Sequence, residues 1–134
     1  MSPYKLLIGG RMADGDLTMD VVNPATEEVL AKAPRASKAQ LDEAVAAAKA
    51  AFPAWSATPI ATRKAALTAI ADVMEKNAGE LARILTQEQG KPLADATGEV
   101  YGAAAFFRYF TALDLPVKVL DDSKDRRVEM HRKP

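Results

Sequence analysis

The middle of the chain is punctuated, and that punctuation restricts the fold more than any other feature of the sequence. From residue 37 to residue 112, helix-favouring stretches alternate with residues that start or stop helices. Ser37 with Gln40 has the spacing of a capping box, in which each side chain satisfies an otherwise orphaned backbone N–H. Leu41, Val45, Ala48 and Phe52 follow at steps of three and four and so share one helical face. Pro53 is expected to stop that helix, since it offers no N–H and clashes with the turn before it. Thr58-Pro59 predicts a second start, with a hydroxyl at the cap and a proline at the first helical position, where its missing N–H costs nothing. Its stripe is Leu67, Ile70, Ala71 and Met74.

Asn77 with Glu80 repeats the capping-box spacing, which predicts a break and restart there rather than one long helix. Leu81, Ile84 and Leu85 carry the next apolar face. Gly90-Lys91-Pro92 closes it, because glycine adopts the left-handed conformation that ends a helix and proline cannot continue the ladder. A Walker phosphate loop would need two glycines five apart and a Ser or Thr after the lysine, and neither condition holds. The last helix is expected over residues 93–112, with Val100, Ala103, Ala104, Phe107 and Phe110 on one stripe. Gly98 and Gly102 form a G-x-x-x-G that reads as a place of close approach for another helix or sheet. Asp95, Glu99 and Arg108 rule out a membrane span.

Short β segments flank this region. Residues 4–8 are an apolar run ended by Gly9-Gly10, and "MDVVNPATEEVLAKAP" reads as two strands around a turn at Asn23-Pro24. Near the other end, a brief strand at residues 117–120 precedes a turn at Asp121-Asp122-Ser123. Val128 and Met130 then alternate with Arg127, Glu129 and His131, as in a half-exposed strand. The expected class is mainly α, with a small N-terminal β-hairpin region and a C-terminal strand. A chain of 134 residues holds one core, and with about a fifth of it alanine that core is helical and modest in area. Zero formal net charge offers no broad positive field for nucleic acid or anionic lipid, so neither is expected as a partner. No apolar run reaches the length of a signal peptide or a membrane span, so the expected setting is the cytoplasm.

Few residues suggest chemistry. There is no cysteine, hence no disulfide, thiolate metal site or cysteine nucleophile. His131 is the single histidine and reads as a surface strand residue rather than a catalytic one. Glu27-Glu28 and Asp121-Asp122 are paired acids, but adjacent residues point in different directions. The dinucleotide fingerprint G-x-G-x-x-G is absent. Trp55 reads as an anchor for the connecting loop, with a stacking platform as the alternative.

Taken in order, "LLIGG", "VVNPATEEVL", "AFPAWSATP" with Arg63 after it, "LTQEQGKPLADATGEV" and "FFRYFTAL" resemble the aldehyde dehydrogenase superfamily over nearly the whole chain. Glu27 stands where many members have glycine, in the N-P-A-T-G-E version of the turn. The resemblance implies part of a larger α/β fold whose enzymes oxidise aldehydes with NAD or NADP by thiohemiacetal formation, hydride transfer and thioester hydrolysis. It divides the chain into a leading hairpin region at residues 1–36, a helical part at 37–113 that packs on the cofactor domain, and a linker with the first strand of an oligomerisation arm at 114–134, one partial domain overall. In the family, the oxyanion-stabilising asparagine, the residues that hold the cofactor, the general base and the nucleophilic cysteine lie further on. The expectation is therefore an N-terminal fragment, inactive alone, with no catalytic or cofactor-binding residue of its own.

The resemblance also implies a monovalent cation held by carbonyls from Val21 and Val22 and by the acid Glu88. It puts the stretch bounded by Gly102 and Phe106 along the substrate entrance, with Arg108, Tyr109 and Phe110 packed behind. As a fragment, the chain would leave Val128 and Met130 without sheet partners and uncover helix faces, favouring a homo-oligomer. The alternative is a self-standing helical interaction module that binds or caps a full-length partner. The coding sequence downstream of Pro134 would separate the two.

Overall fold

Among the described residues the strands form three two-stranded pairs, each made of strands consecutive in sequence. The computed structural model describes residues 4–133, so residues 1–3 and Pro134, which the sequence reading assigns to the leading hairpin and the closing segment, lie outside the described residues. Strand β1 (Leu6–Ile8) runs antiparallel to β2 (Arg11–Ala13) across the Gly9-Gly10 turn. Strand β3 (Leu17–Val22) pairs with β4 (Val29–Arg35), and the register shifts between Val21 and Val22. The turn that joins them is held by Asn23, whose Oδ1 accepts from the Ala25 N–H at 2.9 Å and whose carbonyl accepts from the Glu27 N–H at 2.8 Å.

Helix α1 (Lys38–Ala57) begins at the expected capping box. Gln40 does more than cap: its Oε1 accepts from the Asp16 N–H at 2.9 Å and its Nε2 donates to the Asp14 carbonyl at 2.8 Å, tying the β2–β3 loop to the helix. Pro53 does not stop α1. The helix carries it and continues to Ala57, because proline forfeits one hydrogen bond while the last turn gains others. Ser56 Oγ donates to the Pro53 carbonyl at 2.9 Å and Thr58 Oγ1 to that of Ala54 at 3.0 Å. The Thr58 hydroxyl therefore closes α1 instead of capping α2 (Ile60–Lys76), whose N-terminus has no side-chain cap.

The break at Asn77 is present, but its capping box is not. The Asn77 side chain donates back to the Val73 carbonyl at 2.7 Å, which serves the end of α2 rather than the start of α3 (Ala78–Gln89). Gly90 ends α3 with φ +75°, as read from the sequence, and its N–H bonds the Thr86 carbonyl at 2.8 Å. Helix α4 (Leu93–Ala112) packs against both α2 and α3. The buried hydrophobic residues among those described are mostly alanines: Ala71 from α2, Ala78 and Ala82 from α3, and Ala96 and Ala104 from α4, joined by Val100 from α4 and Ile8 from β1. Small side chains let these backbones approach closely, at the cost of a core with little apolar area. Arg108 locks the same pair of helices at the surface, with Nη2 2.8 Å from Asp72 and 2.6 Å from Glu75.

Two expectations about surfaces are corrected. An added Cβ at Gly98 or Gly102 would meet nothing within 4 Å, so no other element among the described residues approaches the G-x-x-x-G face. Val128 and Met130 do have strand partners, since β6 (Arg127–Met130) pairs with β5 (Lys118–Asp122) in a hairpin rather than standing as one strand. Large apolar side chains do lie uncovered, among them Leu41, Val45 and Phe52 on α1 and Phe106, Tyr109 and Phe110 on α4.

Candidate functional site

The β3–β4 turn rests against the end of α3, and this contact brings together residues far apart in sequence. A Cβ at Gly90 would come 3.0 Å from Pro24 Cγ, so only glycine both takes the left-handed turn and lets the hairpin sit so close. A cavity of about 360 Å³ has Val21, Ile84 and Glu88 in its lining. The irregular register after Val21 leaves Val22 off the cavity and half-exposed. Of the three residues in the implied cation set, Val21 and Glu88 line this cavity, and Val22 is the next residue along β3. Glu88 is the single carboxylate in the lining, and the ammonium of Lys5, also in the lining, is engaged 2.5 Å from Asp14. One carboxylate and a strand carbonyl suit part of an oxygen cage for a hard cation, whose remaining oxygens would come from elsewhere. No group of three or more His, Cys, Asp or Glu side chains suited to a metal occurs among the described residues.

Gly102 and Phe106 line a second, shallow groove on α4 together with Ala105 and Tyr109, about 410 Å³ in volume and almost wholly apolar. The groove faces outward, with Phe106 69% exposed. Tyr109 and Phe110 meet edge to face at 5.3 Å. Arg108 turns toward α2, and its hydrogen bond to Glu75 holds that carboxyl below its ordinary range. The guanidinium is pushed further up in turn, first by Glu75 and then by Asp72.

A third cleft joins the end of α1, the start of α2 and the end of α4. It measures about 340 Å³ and is walled by Trp55, Ile60, Leu67, Phe110 and Leu115, with Arg63 and Lys64 on one side. Trp55 lines this cleft and is 48% exposed. Arg63 was marked in the sequence only as part of a resemblance. Its Nε is buried with no hydrogen-bond partner among the described residues. The signal was its place one turn before Leu67, on the apolar stripe of α2.

The remaining candidates are surface pairs. His131 Nε2 lies 2.9 Å from Glu129, whose carboxyl is held down first by Arg127 and then by His131. Asp121 and Asp122 turn to different arginines, Arg126 at 2.5 Å and Arg127 at 3.0 Å, as adjacent residues should.

Residues 11–134 match the sequence model of the aldehyde dehydrogenase family. A probable aldehyde dehydrogenase from Pseudomonas sp is 41% identical over 133 residues, 99% of this chain and 27% of that protein. The crystal structure of an aldehyde dehydrogenase from Brucella melitensis biovar abortus 2308 superposes with a TM-score of 0.87 at 33% identity, over 96% of this chain and 28% of that one. PnpE, solved in complex with nicotinamide adenine dinucleotide, superposes at 0.83 and 37% identity, over 90% of this chain and 26% of its own. This chain thus spans about a quarter of the length of the relatives it matches. Alike in residue order and in backbone path along nearly its full length, the chain belongs to the aldehyde dehydrogenase family.

Proposed function

We infer that these residues are the N-terminal scaffold of an enzyme that oxidises an aldehyde to a carboxylic acid with NAD or NADP, and that they do not catalyse the reaction alone. The observation that carries this reading is the superposition of nine-tenths of the chain on a quarter of a relative solved with nicotinamide adenine dinucleotide. Bound NAD or NADP supplies the hydride acceptor. The residues present do not fit it: the glycine fingerprint is missing and the described clefts are mainly apolar, so none is assigned to the dinucleotide. Thiohemiacetal formation needs a thiolate, and the chain has no cysteine.

In this reading residues 37–113 rest on a cofactor domain and residues 114–134 begin an oligomerisation arm. The carbonyls of Val21 and Val22 and the Glu88 carboxylate contribute to a monovalent-cation site, a reading supported by the cavity that Val21 and Glu88 share. Gly102 and Phe106 form one wall of the substrate entrance, supported by their shared apolar groove. The uncovered apolar faces favour a homo-oligomer, which light scattering across micromolar concentrations would detect. The same faces favour the second reading, a helical interaction module. For the catalytic question, purified protein is incubated with NAD or NADP and a panel of aldehydes while reduced cofactor is followed by absorbance. No turnover above background is expected, and clear turnover would overturn the inference.

A further inference from the structure

Helix α4 sorts its charges by face. At about 3.6 residues per turn, Asp95, Glu99, Gly102, Phe106 and Tyr109 fall on one stripe and Arg108 falls on the opposite side. The apolar groove of Gly102, Ala105, Phe106 and Tyr109 therefore runs, toward the helix start, into two carboxylates. The single cation of the helix is turned away and engaged: Arg108 Nε lies 3.0 Å from Glu75, and its Nη2 reaches Asp72 at 2.8 Å and Glu75 at 2.6 Å. Lys91, just before the start of α4, is paired with Glu99. A carboxylate brought into this groove would lose water, find no cation in the lining and face like charges along the stripe. An alkyl or aryl chain would bury apolar surface against Phe106 and Tyr109 at no such cost.

We propose that the aldehyde admitted along this wall carries an uncharged apolar chain and not a second carboxylate. The inference rests on the substrate-entrance reading of Gly102 and Phe106 given above and assigns that entrance a substrate class. Phe106 and Tyr109 supply the surface for the chain, and Asp95 and Glu99 reject an anionic tail.

A chimera tests this. The chain replaces the stretch it matches in the Pseudomonas relative, and reduction of NAD or NADP is followed with pentanal and with glutarate semialdehyde, equal in chain length and different in the terminal carboxylate. The kcat/KM for pentanal should exceed that for the semialdehyde by about tenfold or more. A Cβ at Gly102 would meet nothing within 4 Å, so Gly102→Arg fits the helix and places a guanidinium in the groove. It should move the ratio toward the semialdehyde by about tenfold, mainly through KM, while Gly102→Met, of similar bulk and no charge, should not. The chain itself gives the second readout: amide chemical shifts of residues 102–109 should respond to pentanol and less to δ-hydroxyvalerate, the alcohols being used because aldehydes modify lysines. The proposal is overturned if the chimera prefers the semialdehyde, if Gly102→Arg and Gly102→Met give the same ratio, or if δ-hydroxyvalerate moves those amides as much as pentanol does. Each of these leaves the scaffold reading standing as long as the chimera oxidises an aldehyde. A chimera that oxidises neither aldehyde overturns the scaffold reading instead, and the amide shifts then decide for or against the groove's selectivity.

Discussion

Glu27 is the position at which a single atom decides a measurable energy. It is the one described non-glycine residue with positive φ, at +60°, where the Cβ of an L-residue crowds the backbone at a cost of about 1–2 kcal/mol. The conformation is imposed, because the Glu27 N–H must reach the Asn23 carbonyl at 2.8 Å while the Asn23 N–H bonds the Glu28 carbonyl at 2.9 Å to close the hairpin. Replacing Glu27 with glycine removes the crowding but adds freedom to the unfolded chain, worth about 0.5–1 kcal/mol in the other direction. The net gain expected for Glu27→Gly is about 0.5–1 kcal/mol, or roughly 2–4 °C in melting temperature for a domain of this size. Thermal and urea denaturation followed by circular dichroism would measure it. Glu27→Ala is the control, since it deletes the carboxylate beside Glu28 and keeps the Cβ, and it should stay within about 0.5 kcal/mol of the wild type. If alanine stabilises as much as glycine, charge and not backbone strain sets the energy. A glycine variant no more stable than the wild type would refute the strain itself.

A Cβ at Gly15 would lie 2.7 Å from both the backbone N and O of Arg35, so Gly15→Ala must push the β2–β3 loop away from β4. A loss of about 2 kcal/mol or more is expected in the same denaturation assay. Gln40→Ala removes the capping box and both bonds to residues 14–16 and should cost about 1–2 kcal/mol, with faster amide exchange in the first turn of α1. Glu75 gives a pH signature: its folded carboxyl is held below the ordinary range by Arg108, so the pair stabilises above the unfolded carboxylate pKa and that contribution fades as pH falls through the lower folded value. Urea midpoints measured from neutral pH down to about pH 3 should therefore fall less steeply for Arg108→Gln than for the wild type, from a lower starting point.

Much of the local architecture was legible because it depends on covalent features and short-range spacing. The Ser37-Gln40 box, the stop at Gly90, the break at Asn77 and the α4 limits at Leu93 and Ala112 all follow from which residues cap, break or sustain a backbone ladder. The misreadings all lie toward helix ends. Thr58 and Asn77 can each serve the helix before or the helix after, and the sequence does not say which side wins, while Pro53 is carried inside α1 because the turn that follows it is held by other bonds. Thr58 and Asn77 bond backward, to Ala54 and Val73, where helix ends left carbonyls in need of donors.

Of the candidate sites, only the residues themselves were visible in advance. That Val21 and Glu88 share a cavity depends on the β3–β4 hairpin seating against the end of α3, a contact between segments more than sixty residues apart. Periodicity likewise identified which helix faces are apolar but not which are covered. Leu41, Val45 and Phe52 form a regular stripe and remain exposed, while alanines from α2, α3 and α4 fill the interior. The sequence by itself determined the helices, the turns and the absence of a cysteine nucleophile, because these are set by residue chemistry within a few positions. Only the tertiary structure decided which surfaces meet and that Arg63 Nε is buried without an acceptor among the described residues, because burial is a property of distant segments packing together.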